Sequence, residues 1–356
     1  MTSNSEATAP LRSVYTTNLP RILSELGISL LVTTYQAGKL VVVRADGDTI
    51  NTHFREFARP MGMAVSGHRI AFGTALEVHE YYNVPAVIPK LEKPERFDAC
   101  YLPRNVHTTG DIDIHEMAWG NGGELWCTNT RFSTLCTIDT EHSFVPRWRP
   151  KFISKLSPED RCHLNGLGMV NGEPRYVSAL GSSDKQQGWR DKKADGGVVI
   201  DLSANDIIAG GLCMPHSPRW YADRLWVLES GRGSLSTIDP VAGSTHAVQV
   251  MPGFTRGLDF AGPLAFVGLS QVRESALFSG LPVTEGTGER CCGVWVVNVN
   301  NGNIVAFLRF EDAVQEIFAV QVIPFRFPEI VEPGDKLISS TYTIPDEALK
   351  DVKIPE

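Results

Sequence analysis

The stretch "DIHEMAWGNGGELWCTNT" (113–130) has a polar start, an apolar finish on Trp119, a Gly- and Asn-rich turn and then a β-prone run. Its first half alternates as a half-buried strand does, and the turn after it suits a hairpin. His115 and Glu116 stand where a strand interior would otherwise be apolar. The same grammar returns in "RPMGMAVSGHRIAFGT" (59–74), "HLNGLGMVNGEPRYVSAL" (163–180), "PHSPRWYADRLWVLESG" (215–231) and "TRGLDFAGPLAFVGLS" (255–270). A sixth copy, "QEIFAVQV" (315–322), keeps only the first half. The starts lie 40 to 60 residues apart, which is the interval of one four-stranded propeller blade.

Outer strands follow these inner hairpins. "STLCTIDT" (133–140) and "SFVPRWRP" (143–150) complete one blade, and "GVWVVNVNNGNIVAFLRF" (293–310) is a clear hairpin turning on "NNGN". The last copy has no outer strands after it, whereas "GISLLVTTYQAGKLVVVRADGDTINTHF" (27–54) has outer strands and no inner one. The expectation is an all-β, six-bladed β-propeller whose ring is closed by N- and C-terminal strands, leaving no open sheet edge. Seven blades is the rival, because 75–110 is irregular and could hold an insertion or extra strands. The reading divides the chain into a disordered leader (1–18), a single propeller domain (19–345) and a C-terminal tail (346–356).

Composition narrows the function. With 356 residues, 42 % of them hydrophobic, the chain can bury a large core. The net charge of −8 argues against nucleic-acid binding, which needs basic stripes; the run "RWRPK" (147–151) is short and reads as a solvated strand edge. No apolar run reaches the roughly 18 residues of a membrane span, and the N-terminus lacks the core of a signal peptide. Seven cysteines, without CxxC spacing, read as free buried thiols in a reducing cytoplasm. The adjacent Cys291 and Cys292 read as strand packing.

Each inner strand ends on a bulky residue: Val65, Trp119, Met169, Trp220, Phe260 and Val320. Four positions earlier stand Met61, His115, Asn165, His216, Arg256 and Glu316. Five of these six are polar, at a position that faces the channel of a propeller. A polar column of this kind predicts a site on the channel axis. His163 lies two residues up its strand, about 7 Å along the channel if the strand is regular. Blander readings exist for single members: Met61 as packing, Asn165 as a backbone cap, Arg256 with Glu316 as a buried ion pair, and Glu116 as a link between blades.

His115, His216 and Glu316 form a candidate metal set, since two imidazoles and a carboxylate suit a divalent transition metal such as iron, zinc or manganese. His163 is then a general base or a fourth ligand, and Arg256 and Asn165 would hold a substrate carboxylate or carbonyl. Without a metal, the same groups could run acid–base chemistry of a lyase or isomerase, Arg256 stabilising an anionic intermediate. The charged segment 182–197 reads as a solvated face loop, and 75–110, with Tyr81 and Tyr82, as the better lid candidate.

The stretches "TTYQAGKL", "DIHEMAWG", "ELWCTNTRFS", "PEDRCHLNGLGM", "MPHSPRW" and "GFTRGLDF" resemble signature segments of a bacterial family of conserved hypothetical proteins. The likeness covers nearly the whole chain after the leader and implies no reaction. More distantly the pattern is similar to gluconolactonase-type and carotenoid-oxygenase-type propellers. It has more histidine than the calcium sites of the first and lacks the four-histidine set of the second. The overall expectation is a metal-dependent enzyme, hydrolase, lyase or oxygenase, acting on a small or peptide-like polar substrate in the channel. The alternative is a non-catalytic propeller that binds a protein or peptide.

Overall fold

The computed structural model describes residues 12–272, 279–285, 289–311 and 313–345. Six sheets, antiparallel except for one edge strand, stand around a central axis as six blades. The first blade joins both ends of the chain: Ala319–Ile323 is its inner strand, followed outward by Ser29–Thr34, Lys39–Asp46 and Thr49–Glu56. The inner strands of blades two to six are Met63–Ser66, Ile114–Trp119, Leu164–Val170, Pro215–Tyr221 and Phe254–Ala261. Each hydrogen-bonds to the strand that follows it. All six repeats therefore form inner strands, and the ring closes as the sequence predicts, with Val32 opposite Val320.

The strands read as they do because neighbouring blades cover both of their faces. Ser29–Thr34 is buried at every position, so it carries no polar alternation. Outermost Thr245–Val250 is half-exposed or exposed throughout and is correspondingly polar. The core lies between sheets. Between blades six and one, Leu30 and Val32 meet Phe266, Val294 and Leu308, and the helix Leu19–Leu26 caps the cluster with Leu19 and Leu23.

Hydroxyls tie one blade to the next. Thr33 Oγ1 donates to the Met61 carbonyl (2.7 Å), Thr130 Oγ1 to Leu164 (2.6 Å), and Ser270 Oγ to Ile317 (3.1 Å); Ser230 Oγ donates to the Thr255 carbonyl. Each hydroxyl sits at or just past the end of a blade's second strand, and each acceptor sits at or near the start of the next inner strand. Blades four and five approach too closely for side chains: a Cβ at Gly166 would fall 2.2 Å from Pro218 Cδ.

Two sequence expectations change. Residues 75–110 are neither a lid nor a seventh blade. Glu77–Asn83 and Ala99–Thr108 are the outer strands of blade two, and Pro328–Ile330 adds to its edge in parallel. Tyr81 is buried against Phe72. Apolar packing across that edge, not channel access, explains the irregular composition. Within the expected leader, Ser13–Tyr15 pairs with Ile304–Phe310 as an additional edge strand of blade six; residues 1–11 and the expected tail 346–356 lie outside the described residues. Among the described residues no helix is long and apolar enough to cross a membrane.

Thr33→Val tests the blade ties. It keeps the side-chain shape but strands the Met61 carbonyl and the Ala319 N–H, which donates to Thr33 Oγ1 (3.0 Å). The expected cost is about 1–3 kcal/mol, read as a lower midpoint in chemical denaturation.

Candidate active site

The site begins with a backbone kink. Arg59, Asp113, His163 and Met214 all adopt left-handed φ, between 51° and 55°, and each lies two residues before a column position. A left-handed L-residue is unfavourable and persists where surrounding packing holds it. Here it turns the carbonyls of residues 113 and 214 back onto the ring two residues later. His115 Nδ1–H donates to Asp113 O (3.1 Å), and His216 Nδ1–H donates to Met214 O (2.9 Å).

A second acceptor repeats as well. Thr130 Oγ1 lies 2.9 Å from His115 Nδ1, and Ser230 Oγ lies 2.8 Å from His216 Nδ1. Each hydroxyl already donates its own hydrogen to the next blade, so toward the imidazole it accepts. A carbonyl and a spent hydroxyl together require the proton on Nδ1 and leave Nε2 as a lone pair. Burial holds both imidazoles well below their usual pKa, and the Arg256 guanidinium pushes in the same direction. Both rings are neutral at physiological pH.

These two histidines line a cavity of about 100 Å³ with His163, Trp189, Arg256 and Glu316. The kink brings His163 closer to His115 than a regular strand allows: the rings meet edge to face at 4.7 Å between centroids, not one layer apart. Both Asp160 carboxylate oxygens lie 3.0 Å from His163 Nδ1, and Trp189 Nε1–H donates to Asp160 Oδ2 at 3.0 Å. Arg256 packs on the Phe318 ring at 3.5 Å and faces Glu316, its nitrogen 3.5 Å from Oε1. Burial lowers the Arg256 pKa, with Glu316 opposing, and burial raises the Glu316 carboxyl, with Arg256 only partly offsetting it.

The structure thus brings together five of the named residues: His115, His163, His216, Arg256 and Glu316. Asn165 does not join them. Its Oδ1 accepts from Ser178 Oγ (2.7 Å) and its carbonyl accepts from Thr128 (3.0 Å), both within the sheet packing. Met61 is core. Among the described residues no three His, Cys, Asp or Glu side chains stand close enough to hold a metal ion, so His115, His216 and Glu316 share a cavity without forming a ready-made ligand set.

Sequence reasoning missed Asp160 and Trp189. Segment 182–197 is not a solvated loop at the site: Trp189 is buried within it. Arg161 clamps it through Asp184 (2.6 Å), while also bonding Glu159 (2.7 Å) and Ser154 (3.0 Å). The available signals were a lone Trp in a charged run and the Asp160–His163 spacing. Glu116 pairs with Arg219 at 2.9 Å, and Arg219 also donates to the carbonyls of Leu167 and Leu258. Inner strands of four consecutive blades, three to six, meet on this one guanidinium.

The fold and cavity define a class: a six-bladed β-propeller with a histidine-lined cavity in its channel. The chain belongs to the family described as a domain of unknown function, DUF4915, whose model matches residues 17–331. None of the curated proteins shows a significant sequence match. Among solved structures, a chain of a nidogen/laminin complex is similar with a TM-score of 0.55 and 9% identity, over 85% of this chain and 100% of that one. A protein of unknown function from Bacteroides caccae gives 0.50 and 10% identity, over 83% and 99%. A catalytically inactive virginiamycin B lyase from Staphylococcus aureus, crystallised with quinupristin, gives 0.42 and 11% identity, over 84% and 99%. At these identities the likeness establishes the propeller fold alone.

The neutral histidines give a pH prediction. Their folded pKa values lie below the unfolded value of about 6.5, so the unfolded chain binds more protons as pH falls below that value. Stability therefore falls with pH, by up to about 1.4 kcal/mol per pH unit for each ring. The raised carboxyls of Glu316 and Asp113 act with opposite sign, so variants are needed to isolate the effect. Denaturation of His216→Gln between pH 5 and 7.5 should show a shallower acid loss than the parent protein.

Proposed function

We propose that this protein is an enzyme that transfers protons on a small anionic substrate held in the channel cavity, in a reaction of lyase or isomerase type. The observation that carries this reading is the Asp160–His163 pair set beside a buried arginine. Asp160 engages Nδ1 and orients the imidazole, leaving Nε2 to take up or release a proton. Arg256 supplies a fixed positive charge for a substrate carboxylate and for negative charge that develops on it. Its long contact to Glu316 leaves guanidinium donors for the ligand. Trp189 and Phe254 wall the cavity and limit water.

Size restricts the substrate. A water molecule occupies about 30 Å³ of liquid, so a cavity near 100 Å³ accepts a group about the size of three waters. That is a small molecule, or the end of a peptide-like one. The seven unpaired thiols fit a reducing compartment such as the cytoplasm.

A metal-dependent version draws on one specific observation, the two tautomer-locked imidazoles that offer Nε2 lone pairs. His115, His216 and Glu316 would hold a zinc, iron or manganese ion. Among the described residues no three such side chains stand close enough to hold an ion as they are, which makes this the second reading. Metal analysis of natively purified protein separates the two: a stoichiometric ion lost in His115→Ala and His216→Ala supports the metal, and less than about a tenth of an equivalent after reconstitution excludes it.

Proton transfer is tested in D2O with a set of short 2-oxo, 2-hydroxy and 2-amino carboxylates, following C–H exchange by proton NMR. At least one class should exchange, and His163→Gln should slow it by about 100-fold or more. Absence of exchange throughout the set would overturn the reading.

A further inference from the structure

We infer that the substrate carries a protonated amine close to its carboxylate, so that it is a small amino acid or a molecule ending in one. This deepens the proposed function and rests on Arg256 as the anion anchor. The argument starts from the two Nε2 atoms. His115 and His216 come from different blades, yet each has its Nδ1 proton fixed by the same pair of acceptors, a carbonyl two residues back and a hydroxyl already spent on the next blade. Two independent copies of one arrangement turn two acceptors toward one cavity. Among the described residues neither Nε2 has a hydrogen-bonding partner. Acceptors left open at a cavity wall call for donors from a ligand, and the two guanidiniums that line it, Arg256 and Arg190, face Glu316 and pack on Trp189, respectively.

Charge selects the donor. Glu316 and Asp113 act on the Arg256 guanidinium, and Asp160 acts on Asp113 and holds His163. Three carboxyl groups against the two arginines of the cavity wall, Arg256 and Arg190, favour an incoming positive group over a neutral hydroxyl. A ligand with an ammonium for the histidine side and a carboxylate for Arg256 matches both halves of the cavity, and one carbon between them fits its volume. Thr130 and Ser230 are then positioning residues, since they act on the ligand only through the histidine tautomers.

Glycine, glycolate and propionate form an isosteric series that differs only in an ammonium, a hydroxyl or a methyl at one end. Titration calorimetry with the full-length protein should show glycine binding at least about tenfold more tightly than propionate, with glycolate between them. Equal affinities for all three would overturn the amine inference while leaving the anion anchor intact, and binding of none would overturn both. In Ser230→Ala the glycine preference should fall while propionate binding stays unchanged, a split that a general loss of stability would not produce. Nitrogen NMR of the ligand-free protein labelled at histidine gives a readout that needs no variant. Nδ1–H imidazoles at His115 and His216 at neutral pH are expected, and an Nε2–H tautomer at either would overturn the inference. So would a stoichiometric metal on these two rings.

Discussion

The antiparallel pairing of Ala319–Ile323 with Ser29–Thr34 is the interaction on which the rest depends. It makes the chain's last inner strand part of its first blade, so six sheets close into a ring with no free inner edge. The site needs this closure. Glu316 and Phe318 lie on the segment leading into that strand, and they flank Arg256 from the neighbouring blade. An open ring would leave a buried guanidinium without its carboxylate and without its aromatic support. Thr33 reinforces the join from both sides, bonding the Ala319 N–H and the Met61 carbonyl.

Stability and chemistry share bonds in this molecule. The Thr130 and Ser230 hydroxyls that tie neighbouring blades are also the groups that accept from His115 and His216. A hydroxyl has one hydrogen, and committing it to a carbonyl of the next blade leaves only acceptor capacity toward the imidazole. Blade packing therefore sets the tautomer. Deeper along the same strands, Arg219 repeats the economy, bonding Glu116 and the backbones of two further inner strands. Breaking such a buried pair from one side leaves an uncompensated charge.

Much of this was legible in the repeat. Aligning the hairpins by their apolar end residues put His115, His216, Arg256 and Glu316 at one level, because equivalent positions on equivalent strands must lie at similar depth around an axis. Asn165 obeyed the same count and still turned into the sheet, where Ser178 bonds its Oδ1 and Thr128 its carbonyl. Asp160 and Trp189 carried only weak signals, a three-residue spacing and a lone Trp in a charged run. They reach the cavity from connecting segments, where no periodicity ties position to direction. His163 was found, but its distance from His115 was misjudged: a regular rise per residue was assumed where the backbone runs through left-handed φ.

By itself, the sequence pointed to six blades with seven as the rival, to closure by both termini and to most of the residues that face the channel. These follow from local alternation, from turn chemistry and from a period that only a blade explains. Tertiary structure alone decided which nitrogen of each histidine carries the proton, which carboxyl pairs with which cation, and that the charged 182–197 segment buries a tryptophan against the site. Those outcomes depend on partners from other blades or loops, at separations in the chain that carry no periodic signal. The low dielectric of the closed channel then decides which groups stay neutral and which keep their charge.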